Sequence, residues 1–254
     1  MFLNTKETVP AGVGFTTFGA THLLWLLGFA ITLAAAIVLY RKLDTKGKNT
    51  MRIILGATVF LMETAKNIVA AAIGDFGVGH LPFHLCGISV LLITFDVFKP
   101  TKIVRYFLYY LGIPGALLAL LFPNWTVLPC FNFFNIHSFT IHIMLTIYPV
   151  ALVAGGEFLP DIKAMFKCIL LLICLAIPIY FINLLCDTNF MFLMQPDKGN
   201  PLEMFEKLFG NHLWGFPILL PLVVGLMYLP VFIANKVKNN KITIKQKEYE
   251  VTTK

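Results

Sequence analysis

Along this chain long apolar runs alternate with short polar stretches, and seven runs approach the length of a bilayer-spanning helix. About 20 apolar residues are needed, because about 30 Å of hydrocarbon is crossed at about 1.5 Å per residue. The runs predict helices over roughly 18–40, 52–74, 82–98, 102–122, 136–154, 164–186 and 213–235. The third is short and opens at Pro82, whose missing N–H suits a first helical turn. Pro178, Pro217 and Pro221 predict kinks in the sixth and seventh.

The polar stretches set an orientation. Arg41, Lys42, Lys46, Lys48 and Arg52 fill the first connection, Lys99, Lys102 and Arg105 the third, and Lys163 and Lys167 the fifth. The alternate connections are poor in basic residues; 123–135 carries no charge. Basic residues mark the cytoplasmic side of membrane proteins. The expected fold is therefore all-α, a polytopic membrane helix bundle with seven transmembrane helices, the N-terminus outside and the C-terminus cytoplasmic. One transmembrane domain spans 1–236, and a basic polar cytoplasmic tail follows over 237–254. No basic stretch or cleavage site precedes the first run, so the first helix is expected to act as its own insertion signal.

Composition agrees. Of 254 residues, 58% are hydrophobic and 13% charged, against about 25% charged in an ordinary soluble domain. The net charge of +7 lies in the connections and the tail, so it reads as topology signal rather than a nucleic-acid surface. Residence in the cell membrane follows, with membrane lipids as the natural partners. The five cysteines form no CxxC pair and no regular spacing, so neither a disulfide framework nor a metal site is indicated. Nothing points to a cofactor, and the sequence fixes no oligomeric state.

Polar residues within the runs carry the functional information, because a charge at the bilayer centre costs on the order of 2.5–3.5 kcal/mol on insertion scales. Glu63, Lys66 and Asn67 share one face of the second helix. They read either as a self-satisfied Glu–Lys pair or as a carboxylate that orients a histidine in a polar cavity. All six histidines, His22, His80, His84, His137, His142 and His212, fall in the outer half of the predicted bundle, with Asn132 and Asn189. The pattern predicts a polar cavity open to the outer leaflet or the outer face.

Several chemistries are excluded or unsupported. The two serines, Ser89 and Ser138, lie outside any GxSxG context, and there is no HExxH, GxGxxG or phosphate loop. The seventh run has no lysine for a retinal Schiff base, and bis-histidine haem ligation rests on residue type alone. A thiol nucleophile remains. Cys168 and Cys174 read as buried apolar fillers. Cys86, in LPFHLCG, lies in the first turns of a helix, where the positive N-terminus favours a thiolate. Its base must come from another helix, with His142 or His137 the candidates. In a second arrangement His84 itself meets the fifth helix or Glu63.

Several blocks also resemble, in order, the YwaF-like family of bacterial integral membrane proteins. They are FTTFGATHLLWLL (15–27), METAKN (62–67), HLPFHLCGIS (80–89), YLGIPGALLALLFPN (110–124), FFNIHSFTIHIMLTIYP (133–149) and DTNFMFLMQPDKGNPL (187–202). That family is distantly similar to a eukaryotic transmembrane enzyme that moves fatty acyl chains between phospholipids through a cysteine. The resemblance implies site roles for His84 and His142. Where that enzyme has Cys-His, this chain reads Phe83-His84, and Cys86 is the nearest thiol. The reading has two branches. One is a lipid acyltransferase or lipid-remodelling enzyme using phospholipid or lysophospholipid, with Cys86 or an activated histidine as nucleophile and His142 as general base. The other is a non-enzymatic small transporter or lipid-binding protein. In either, His22, Glu63, Lys66, Asn67, Asn132, His137 and Asn189 support the cavity.

Overall fold

A computed structural model of the chain describes residues 1–197, 200–230 and 232–233, so the basic tail read over 237–254 lies outside the described residues. Among the described residues every regular element is helical. The long helices are α1 (Ala20–Lys42), α2 (Thr45–Ala72), α6 (Phe133–Ala154) and α7 (Ile162–Cys186). Between them stand α3 (Leu85–Phe98) and a rod over Lys102–Leu121 made of α4 (Lys102–Phe107), a π-helical turn and α5 (Ile113–Leu121). A short α8 (Pro201–Phe209) precedes the last helix, α9 (His212–Pro230).

Six of these, α1, α2, the Lys102–Leu121 rod, α6, α7 and α9, are long and apolar enough to cross a membrane. The chain is thus a multi-pass membrane protein. The 14-residue α3 is apolar but shorter. At about 1.5 Å per residue it is about 21 Å long. It begins at Leu85 rather than at Pro82, because a tight turn (Phe83 N–H to Leu81 O, 2.8 Å) leaves His84 extended as the N-cap.

Local chemistry explains the other boundaries. Asp44, Asn132, Asp161 and Asn200 cap α2, α6, α7 and α8 by accepting backbone N–H groups in the first turn. The π turn over Leu108–Gly112 stands just before Pro114. Proline has no N–H for the α-helical bond, and a widened turn accommodates that loss. Pro149 lies inside α6, which runs unbroken through it.

The rod and α6 form the centre, with 61% of their most apolar windows buried against 6% for α1. Ile93, Phe107, Leu108, Tyr110 and Leu152 are wholly enclosed there. The apolar side chains that stay exposed, such as Leu24, Leu61, Leu170 and Leu185, face outward as lipid-exposed helices require. Small residues let antiparallel neighbours approach. A Cβ on Gly56 would stand 2.4 Å from Val97 Cγ2, and one on Gly115 would stand 2.9 Å from Leu85 Cδ2. The segment before α1 is pinned over the α5–α6 connection: Phe15 N–H donates to Thr126 O at 2.8 Å, and Phe133 N–H to Phe2 O at 2.8 Å.

Candidate functional site

The antiparallel packing gathers the starts of α1, α3, α6 and α9 and the end of α2 at one end, which carries the histidines. The other end gathers Arg52 and Arg105.

At the histidine end α2 supplies Glu63, which is ion-paired with Lys66 one turn on. His137 of α6 brings Nε2 to 3.4 Å from the other Glu63 oxygen, without hydrogen-bond alignment. Glu63 therefore serves its own helix and a histidine together. Asn67, on the same face, buries an Oδ1 that has no partner among the described residues. Cys86 occupies the first turn of α3, half-buried against the core. Among the described residues no hydrogen bond joins Cys86 to a histidine. The three candidate catalytic residues thus make no hydrogen bond with one another among the described residues.

Hydrogen-bond partners fix the imidazole protons. His142 Nδ1 lies 2.6 Å from Ser138 O. A carbonyl only accepts, so the proton is on Nδ1 and Nε2 keeps the lone pair. The ring stacks on Trp125 at 5.5 Å and 11°. His84 is the reverse. Its Nδ1 accepts from Met191 N–H at 3.2 Å, which leaves the proton of the neutral ring on Nε2. Its ring lies 5.2 Å from that of Phe190 and 5.6 Å from that of Phe192. It lines an open cleft of about 480 Å³ with Asn124, Asp187, Thr188, Asn189 and Asp197.

Three other polar residues are taken up by the backbone. His22 accepts from Phe18 N–H at 2.8 Å and donates from Nε2 to Leu120 O at 2.7 Å, which ties α1 to α5. Asn132 caps α6 and donates to Met1 O and Asn4 O, holding the N-terminal segment. Asn189 closes its own loop on Met194 N–H and on both backbone groups of Gln195. Among the described residues no group of three or more His, Cys, Asp or Glu is arranged to hold a metal.

The opposite end holds a charge lattice of which the sequence shows only the parts. Arg105 grips the Asp96 carboxylate, which also accepts from Tyr148 OH at 2.9 Å and Thr101 N–H at 3.2 Å. Glu157, just after α6, accepts from Tyr40 OH and pairs with Arg52 at 3.3 Å and Arg105 at 3.2 Å. Lys48 Nζ donates to Gly155 O at 2.9 Å beside it. Two cations and two carboxylates thus close the ends of α1, α2, α3, α4 and α6. By sequence Arg52 and Arg105 read as topology signal, and nothing along the chain pairs them with Glu157.

The sequence profile of the TMEM164 family matches residues 17–229, which covers every element from α1 to α8 and nearly all of α9. Comparison with curated proteins gives no match. Comparison with solved structures gives none either.

Proposed function

The chain belongs to the TMEM164 family, a family of transmembrane proteins, and on that premise we propose that it is a membrane-embedded acyltransferase acting on phospholipid acyl chains. One observation carries the reading: Cys86 stands in the first turn of α3, which packs on α6, and His142 of α6 bonds Ser138 O through Nδ1, which leaves a lone pair on Nε2. The likeness to the YwaF-like proteins and to a eukaryotic acyl-transferring enzyme supports it. The bundle crosses the cell membrane seven times in this reading, with α3 as the short crossing. The lysine-rich arginine end faces the cytoplasm and the histidine end faces outward.

The chemistry uses a thioester. The Cys86 thiol gives its proton to His142 Nε2, and the thiolate attacks the ester carbonyl of a phospholipid. Collapse of the tetrahedral species breaks the ester C–O bond, and His142 returns the proton to the leaving lysophospholipid oxygen. An acceptor hydroxyl then attacks the thioester and gives its proton to His142, the C–S bond breaks, and His142 returns the proton to the Cys86 thiolate. The test is acyl exchange between a labelled phospholipid and a lysophospholipid in reconstituted vesicles, read by mass spectrometry. Cys86→Ala and His142→Ala should each lower the rate by at least about 100-fold. Full exchange in both variants would sink the reading.

One observation favours a second reading, a small carrier. The charge lattice closes one end while a cleft stays open at the other, as in an outward-facing transporter. Ligand flux that survives loss of His84 and His142 but needs Glu63 would select it.

A further inference from the structure

The segment that follows α7 is held in an unusual conformation. Asp187, Met191 and Phe192 all adopt left-handed backbone, with φ of 50°, 56° and 55°, and none is glycine. Side chains that carry a Cβ disfavour that region, so such a turn persists only where its surroundings impose it.

Asn183 imposes it. This residue of α7 is 1% exposed. Its Oδ1 accepts from Phe190 N–H at 2.8 Å and from Thr188 Oγ1 at 2.9 Å, and its Nδ2 donates to Phe190 O at 3.0 Å. One amide thus holds both backbone polar groups of Phe190. On the far side, His212 Nε2 lies 3.0 Å from Phe192 O. Between these two anchors stands Met191, whose N–H points at His84 Nδ1 at 3.2 Å. The same turn forms a wall of the cleft that His84 lines.

A backbone N–H can only donate, so the turn dictates the tautomer of His84. His84 Nε2 has no hydrogen-bond partner among the described residues. His142 has the opposite arrangement, with its proton on Nδ1.

We propose that Asn183 is a positioning residue and His84 a hydrogen-bond donor: through the left-handed turn, Asn183 aims Met191 N–H at His84 Nδ1 and keeps the imidazole proton on Nε2, where it donates to the carbonyl oxygen of a bound acyl ester. The identity of the acceptor rests on the acyltransfer reading above; the positioning does not. The two histidines then divide the work, with His142 moving protons and His84 steadying the oxygen on which negative charge develops.

The test has two arms on the full chain in lipid nanodiscs. The first is ¹⁵N NMR of histidine-labelled protein at about pH 8, where an ordinary imidazole is neutral. His84→Gln assigns the signals. Wild type should show the Nε2–H tautomer at His84, and Asn183→Ala should convert it to a mixture. Should Asn183→Ala fail to fold, Asn183→Asp keeps both acceptor bonds but sets an oxygen in place of the donor facing Phe190 O, and should shift the mixture part of the way. An Nδ1–H tautomer in wild type overturns the proposal, as does an unchanged tautomer in both Asn183 variants.

The second arm is acyl exchange. Glutamine retains a side-chain N–H donor but cannot act as a base, so His84→Gln should keep about a tenth of kcat or more. His84→Ala should lose at least about 100-fold, the scale of a single oxyanion donor. Asn183→Ala should lower kcat about 10-fold with KM little changed. Equal loss in His84→Gln and His84→Ala overturns the donor role. The expected tautomer shifts without any acyl exchange in wild type support the positioning and overturn the acyltransfer reading instead.

Discussion

Arg105 Nε stands 3.1 Å from each oxygen of the Asp96 carboxylate, with Asp96 wholly enclosed and Arg105 7% exposed. The pair joins the end of α3 to α4, and Tyr148 OH brings in α6. Glu157 extends the same lattice to α1 and α2 through Tyr40 and Arg52.

Removing one partner strands the others. Asp96→Ala leaves the buried Arg105 guanidinium with Glu157 as its remaining carboxylate and takes the acceptor from Tyr148 OH and Thr101 N–H, and breaking a buried pair in this way destabilises by up to about 3–5 kcal/mol. The double variant Asp96→Ala/Arg105→Leu should recover much of that. Thermal unfolding in detergent, arranged as a double-mutant cycle, measures it. A double-variant loss equal to the sum of the Asp96→Ala and Arg105→Leu losses would show that the two charges are not coupled.

His22 is expected to be structural. Both ring nitrogens bond to backbone groups, and His22→Ala removes both bonds. A loss of about 2–3 kcal/mol follows from two hydrogen bonds of about 1–1.5 kcal/mol each. Acyl exchange per folded molecule should stay at the wild-type level. A selective fall in turnover with stability intact would contradict this.

Trp125 acts through the ring it stacks on. Trp125→Phe keeps an aromatic face against His142, whereas Trp125→Ala leaves that ring unsupported. Exchange should fall by about 10-fold or more in the alanine variant and by much less in the phenylalanine variant, since misplacing a reacting group can cost on the order of 100-fold. Equal rates in both would separate the stack from catalysis.

The helices were legible because each apolar run carries its own length, and lipid requires that length. Boundaries were less so: the turn that delays α3 to Leu85 is a backbone event at Leu81–Phe83, within an apolar stretch. The π turn depends on Pro114 together with complete burial, and only the first is visible in the sequence. The Glu63–Lys66 face could be read because both residues share one helix. The Arg52–Glu157–Arg105 lattice could not, because it joins residues on three different segments and its arginines look like loop charges. Residue type likewise conceals whether a polar atom is already taken. His22 and His142 look alike in the sequence, yet the first ring is tied off by Leu120 O and Phe18 N–H, and the second keeps a lone pair.

With α3 as the proposed seventh crossing, its shortness makes bilayer thickness a variable of the site. At about 21 Å it falls about 9 Å short of an ordinary hydrocarbon core of about 30 Å. Membranes relieve such mismatch by thinning around the short segment. On that proposed reading His84 and Cys86, at the mouth of the helix, lie near the level where glycerol esters run. Thin-chain lipids should speed exchange and long-chain lipids should slow it, and vesicles of graded acyl length would show the trend. A flat response would mean that the neighbouring long helices set the local thickness, and that α3 merely follows them.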